Sequence, residues 1–545
     1  MPFLTQKLRR AARAVGPRLG RGAVGSLMHY DVVIIGAGMS GLAAGIRLAH
    51  FDRSVCIVEK HYAFGGLNSY YTLDGRSFDV GLHAVTNFAL PGDRHAPLAK
   101  LLRQLRLTRE DFDLQPQRYS EVRFPGRRLR FTNDIAVLRE EVAREFPREA
   151  DAFGRLIEDV RGFDDVRLDQ PYQSARSRLG SVLRDPVLID MLLCPIMYYG
   201  SAQEHDMDFA QFVTMFKALF LEGFARPPDG VRRIIRKLVK KYRRCGGTIR
   251  MRSGVDRIRV DGGRVSGLTL TSGETLTADT VLSSAGYVET MRLCEDSRGR
   301  ASEDSADAIA CDRSRRLKPA AREGTSVHLH GVSEIGRDES RRLKPAAQDG
   351  PGSSTDSDVG RMSFVETIGV LDRMPHELGH DATIVFFNDA DRFRYARPDQ
   401  PVDLTSGVVC CPSNYEGHES MREGLFRVTW MADPRSWLAF DERDYAEAKA
   451  ACYERFIECG ERCIPGFRDH VVAHDMFTPR TIQRFTGHLN GAVYGSPHKQ
   501  RDGRTPVENL FICGTDQGFV GIIGAMLSGI TMANVHVLER MSNVE

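Results

Sequence analysis

Gly36, Gly38 and Gly41 stand in the spacing GxGxxG, with Ala37, Met39 and Ser40 between them. Each glycine has its own physical use. The first permits a tight strand-to-helix turn, the second lets the backbone approach a pyrophosphate, and the third lets the helix pack close to the strand. A helix opening there offers unpaired N–H groups and its positive dipole end to phosphates. Glu59 follows 23 positions after Gly36, with Lys60 beside it. A carboxylate at that place can accept hydrogen bonds from a ribose hydroxyl pair, and it would repel a 2′-phosphate, so NADP is not expected. Alone, the glycine spacing would also suit a βαβ unit that holds no nucleotide.

The flanking elements favour the nucleotide. Tyr30–Gly36 is a short apolar, β-branched run ending at glycine, as a buried parallel strand should. A helical stretch from Met39 to Ala49 follows, and Ser54–Val58 reads as a second buried strand that delivers Glu59. The fingerprint cannot separate FAD from NAD. The remaining glycine clusters bear on that choice: Gly65-Gly66-Leu67-Asn68, Phe78 through His83, and Asn509 through Gly514-Thr515-Asp516, with Gly518, Gly521 and Gly524 leading into a last helix.

In order and position these motifs match two-dinucleotide-binding-domain flavoproteins. More closely, the chain resembles the phytoene desaturase, carotenoid isomerase and retinol saturase group of the amine-oxidase-like superfamily. The resemblance covers most of Tyr30 to Leu538. It includes Phe146-Pro147-Arg148-Glu149, the Gly223–Gly230 stretch with Pro227-Pro228, and Thr478-Pro479 through Tyr494-Gly495. It implies an FAD cofactor, with Gly36, Ala37, Gly38, Ser40 and Gly41 at the pyrophosphate and Glu59 and Lys60 at the adenosine ribose. Gly65, Gly66, Leu67 and Asn68 would pass beside the phosphates and ribityl chain. Many relatives carry arginine just after the double glycine, so Leu67 and Asn68 leave backbone contacts there rather than a side-chain one. Val255 would meet the adenine edge, and Ala285 and Gly286 would close over the nucleotide. Gly514 and Asp516 correspond to the late Gly-Asp pair near the ribityl or pyrophosphate, with Thr515 interposed. Gly521, Ile522 and Ile523 would open the last helix beside the flavin, where a helix N-terminus stabilises the anionic reduced ring.

Catalytic side chains are harder to find, because the hydride chemistry belongs to the cofactor. His83 is the first candidate, as a proton donor or orienting group; a satisfied structural histidine is the alternative. Tyr198, Tyr199, His205 and Tyr494 follow, although aromatics there could equally be packing.

The fold expected to position these residues is α/β: a Rossmann-like FAD-binding domain built from discontinuous segments (29–90, 241–295 and 501–545), with a mixed α+β substrate domain from 91–240 and 361–500. Residues 134–160 read as two helices broken near Pro147. Phe209, Phe212, Phe216 and Phe220 recur at helical spacing, either as a core stripe or as the wall of an apolar tunnel. Strands resume from Gly246. Within 296–360 the octapeptide Ser314–Ala321 returns as Ser340–Ala347, in surroundings too poor in apolar residues to form a core, so a disordered insertion is expected. Residues 1–28 form a basic tail carrying Lys7, Arg9, Arg10, Arg13, Arg18 and Arg21. A solvated tail or an extension upstream of Met28 is favoured over a membrane-surface or targeting helix.

Composition narrows the partners. With 545 residues, 42% hydrophobic, 27% charged and a net charge of +3, the chain is globular and shows no concentrated basic face for nucleic acid. The 11 cysteines contain no CxxC pair, and Cys459 and Cys463 lack a second pair, so neither a metal nor a disulfide framework is expected and a reducing, cytoplasmic compartment is. Gly518–Leu538 is the most apolar stretch and reads as a core helix. The resemblance implies an apolar, long isoprenoid substrate undergoing desaturation, saturation or cis–trans isomerisation, reached by peripheral membrane contact. An oxidase of a more polar, amine-like substrate and a flavin-binding protein without turnover are the alternatives.

Overall fold

The computed structural model describes residues 28–81, 83–90, 92–165, 167, 170–294, 357–418 and 421–539. The expected basic tail and the expected insertion lie outside the described residues, except for residue 28 and residues 357–360.

The first sheet has Met28–Ile35 at its centre, parallel to Val55–Val58 on one side and to Thr275–Ser283 on the other. Thr248–Arg250 extends it beyond Val55–Val58, also in parallel. The outer edge of Thr275–Ser283 is shared. Its first residues pair with Arg264–Leu270, which forms a hairpin with Val255–Asp261, and its last residues pair in parallel with Leu510–Ile512. The two central strands are buried on both faces, and alternate residues serve different cores. Val32, Ile34, Val55 and Ile57 pack under the helices Met39–Ala49, Val231–Arg244 and Gly521–Ala533. Val33, Ile35, Cys56 and Val58 pack with Ile258, Leu268 and Leu276 of the hairpin side. This is the expected α/β arrangement. The expected division at residue 240 falls inside the helix Val231–Arg244, whose Tyr242 hydroxyl donates to Val55 O at 2.8 Å.

The helices Met39–Ala49 and Gly521–Ala533 cross in close contact. A Cβ on Gly529 would overlap the carbonyl of Ser40, so only glycine permits this approach. The stretch Gly521–Leu538 is long and apolar enough to cross a bilayer by length and composition, with a mean hydropathy of 1.5, and here it covers the sheet.

The second sheet runs in the order Val471–Phe477, Ser363–Leu371, Gly424–Ala432, Ser406–Cys410, Ile384–Asn388, Ser120–Phe124, Arg127–Phe131. All its pairings are antiparallel apart from Ile384–Asn388 with Ser120–Phe124. One face packs on helices that include Pro186–Gly200 and Phe209–Phe216, the other on Glu442–Cys463. The break foreseen near Pro147 is present: Ile135–Glu145 and Ala150–Gly162 are separated by a single tight turn. Phe209, Phe212, Phe216 and Phe220 are all buried in the core between these helices and the sheet, and none lines the cavity described next. The tunnel reading of that stripe is therefore overturned: packing alone accounts for its spacing.

Candidate functional site

A cavity of about 500 Å³ joins the C-terminal ends of the first sheet's parallel strands to the face of the second sheet. Its first half is built from glycine turns. Gly36 has φ +99°, a left-handed conformation that glycine adopts freely, and the chain turns there from Met28–Ile35 into the helix Met39–Ala49. Gly36, Gly38 and Ser40 line the cavity, as does Met39, which the sequence did not single out. Ala37 and Gly41 are behind the turn: Ala37 N donates to Glu59 Oε2 at 2.7 Å, and a Cβ on Gly41 would overlap Gly36 O. The helix start carries no side-chain cap, which leaves its first N–H groups for a ligand.

Glu59 is held rigidly, its other oxygen accepting His61 N at 2.8 Å, and it lines the cavity with Lys60. Gly65, Gly66, Leu67 and Asn68 form a short turn against the fingerprint, with Gly65 N donating to Ala37 O at 3.0 Å. Val255 and Ala285 also line the wall. Gly286 does not: Glu289 occupies the space a Cβ would take, and Glu289 lines the cavity instead. At the far side Gly514, Gly521 and Ile522 line it, with the helix Gly521–Ala533 opening there, also without a side-chain cap.

Two late residues require correction. Asp516 is buried behind the wall, where Oδ2 accepts Tyr287 N at 2.6 Å and Oδ1 accepts Ser496 N at 2.8 Å. It ties three segments together, and Thr515 is the residue that faces the cavity. Ile523 is fully buried in the core and does not line the cavity, whereas Ile522, one position earlier on the helix, does. His205 is exposed and away from the cavity.

These surroundings fit a dinucleotide. A Cβ on Gly38 would meet nothing within 4 Å, so it would project into the open cradle, and two uncapped helix N-termini and an anchored carboxylate face the same space. The segment Phe485–Leu489 also lines this half, with Leu489 N donating to Glu289 Oε1 at 2.8 Å.

The second half is walled by Tyr198, Tyr199, Phe364, Val408, Val493, Tyr494 and Val520. Tyr198 OH is 2.9 Å from Ser406 Oγ, and Tyr494 OH donates to Tyr198 O. The Tyr199 ring stacks on Phe224 at 5.3 Å, and its hydroxyl has no partner among the described residues. Between the halves lies His83. Its Nε2 is 3.1 Å from Thr429 Oγ1 and 3.5 Å from Glu366 Oε2. Glu366 is paired with Arg427, whose Nη2 also donates to Asp79 O at 3.2 Å, and Asp79 is paired with Arg226. Burial pushes the Glu366 carboxyl up, but Arg427 and then His83 outweigh it and hold the group at about 2. Burial pushes the His83 imidazole below its ordinary value, and Glu366 offsets part of that. Sequence reasoning missed Glu366 and Arg427. The available signal was one acid in the apolar strand Ser363–Leu371 and one arginine in Gly424–Ala432.

The model of the flavin-containing amine oxidoreductase family matches residues 39–287. An all-trans-zeta-carotene desaturase from Myxococcus xanthus is 27% identical over 312 residues, 52% of this chain and 57% of that protein. A chloroplastic prolycopene isomerase from an Oncidium hybrid cultivar is 22% identical over 560 residues, 94% of this chain and 84% of the relative. Among solved structures, an oxidoreductase from Methanosarcina mazei superposes with a TM-score of 0.59 at 15% identity, covering 92% of this chain and 99% of that one. With a cradle fitted to a dinucleotide, a match to the flavin-containing amine oxidoreductase model over residues 39–287, and desaturase and isomerase relatives, the chain is a flavin oxidoreductase similar to that family.

Proposed function

We propose that this flavoprotein changes the oxidation level or geometry of a carbon–carbon bond in a long apolar isoprenoid. The observation that carries the reading is the continuity of the cavity: it leads from the glycine turns past His83 into a chamber of Tyr, Phe and Val side chains. Bound flavin supplies two-electron chemistry at carbon. The chain's own residues hold the dinucleotide, exclude water from the apolar chamber and place an imidazole between the two. The names of the Myxococcus desaturase and the Oncidium isomerase support the same substrate class.

An amine substrate would need an uncommitted carboxylate or an electron-rich cage for its ammonium. Glu366 is already neutralised by Arg427, which weighs against the carboxylate; the Tyr198, Tyr199 and Tyr494 rings are the cage that an amine substrate would have to use. A substrate of this kind partitions into lipid, so the reading includes peripheral contact with a membrane surface.

Expression in hosts accumulating linear polyenes of short, medium and long chain length tests the reading. Shifted pigment absorption or altered isomer composition is expected with at least one of them. Unchanged polyenes in every host, from protein that carries a flavin spectrum, would overturn the isoprenoid assignment.

A further inference from the structure

We infer that Glu366 is a positioning residue: with Thr429, it fixes the His83 imidazole as a neutral base whose free nitrogen, Nδ1, serves the substrate end of the cavity. The inference rests on the proposed carbon–carbon chemistry for the identity of the proton, but its geometry stands apart from it.

Both partners of His83 meet the same nitrogen. Thr429 Oγ1 lies 3.1 Å from Nε2 and Glu366 Oε2 lies 3.5 Å from it. An ionised carboxylate facing a ring nitrogen repels a lone pair and attracts a proton, so Nε2 carries the hydrogen. Nδ1 is then the acceptor. It meets no protein donor among the described residues, and the ring lines the cavity. The strand register enforces this. Glu366 stands directly opposite Thr429, and Arg427 opposite Ile368, so Glu366 and Arg427 form a diagonal pair, and Glu366 and Thr429 line the cavity beside the ring.

Every element packed around His83 contributes to its state. Arg427 and Arg226 bring two positive charges, Glu366 and Asp79 two negative ones, so the buried network is balanced while the imidazole is neutral. Tyr415 OH and Cys410 Sγ donate to the His83 carbonyl, at 3.1 and 3.8 Å, and hold its backbone. The Tyr199 ring meets the imidazole edge-on at 6.5 Å. A proton arriving on Nδ1 makes an imidazolium whose charge the Glu366 carboxylate stabilises.

In the oxidative direction, flavin held by the glycine turns would supply the two-electron acceptor for the electron pair of one allylic C–H bond. The C–H bond on the neighbouring carbon then breaks, its pair becomes the new C=C bond, and its proton goes to Nδ1.

The FAD-loaded protein with ¹⁵N-labelled histidine tests this by long-range ¹H–¹⁵N spectra, with His83 assigned by the signals lost in His83→Asn. The wild type should carry its ring proton on Nε2. In Glu366→Gln the ring's protonation midpoint should fall by about one unit, because the carboxylate no longer supports the imidazolium. With a converted polyene, kcat should fall on the order of 10²-fold at unchanged flavin content. The acid limb of its pH profile should move with the NMR midpoint, and Glu366→Asp should restore part of the rate. A wild-type proton on Nδ1, or an unchanged tautomer and titration in Glu366→Gln, overturns the inference. Should Glu366→Gln fail to fold, the wild-type spectrum and Glu366→Asp still decide it. Because the spectra need no substrate, failure of the isoprenoid reading appears separately, as absent turnover with the NMR outcome intact.

Discussion

Glu222 illustrates, at the scale of a single residue, what burial does to charge. Burial raises its carboxyl to about 7, against the pull of Asn87, whose Nδ2 donates to Oε2 at 2.9 Å. The folded value lies above the unfolded one of 4.5, so the associated stability is present below 4.5 and is lost as pH rises through about 7. Glu222→Gln keeps an acceptor for Asn87 and removes the charge. It should stabilise the FAD-loaded protein by roughly 1–3 kcal/mol at pH 8 and leave it nearly unchanged at pH 4. Urea melts of variant and wild type at the two pH values measure this. Nothing in the sequence marks Glu222, which sits before Gly223 as an ordinary loop residue would. Glu59 differs because its meaning comes from a fixed distance to a local glycine turn, and that distance is preserved along the chain.

For elements, the crossing of the first and last helices is the critical contact, since it sets where both uncapped N-termini point. Gly529→Ala puts a Cβ into the backbone oxygen of Ser40, and a backbone atom cannot rotate away. We expect a loss of about 1–3 kcal/mol from the forced separation, and weakened flavin retention because Ser40 lines the cradle. Gly524→Ala is the control: its Cβ would lie 3.4 Å from the nearest atom, at Phe519, in ordinary contact. There the gain in helix propensity, up to about 1 kcal/mol, should leave stability equal or higher. Thermal melts and flavin absorbance of both variants check the contrast. The helices themselves were legible because periodicity is a local property: Met39–Ala49 begins and ends where the sequence predicts. The phenylalanine stripe was ambiguous because a core face and a tunnel wall have the same 3.6-residue period.

Considered as a whole molecule, the cavity draws its dinucleotide half from chain segments near residues 36–40, 59–68, 254–255, 284–285 and 514–522. A ligand that touches all of them stabilises only the folded arrangement. FAD at about 100 times its dissociation constant should add about 2.7 kcal/mol, so the deflavinated protein should melt several degrees lower and recover on titration with FAD. An unchanged midpoint across a saturating FAD titration would count against this arrangement of segments around the cofactor.

The choice of FAD rested on the family resemblance; the sequence by itself determined the nucleotide turn, its acid and the parallel strands around them. These depend on short-range spacing and backbone geometry, which the chain carries locally. Only the tertiary structure decided that Thr515 and not Asp516 faces the cavity, that Gly286 gives way to Glu289, and that Ile523 turns inward. Only the structure brought Glu366, with its partner Arg427, beside His83, which lies more than 280 residues earlier in the chain. Such placements follow from sheet register and helix phase, where a shift of one residue changes the face a side chain presents.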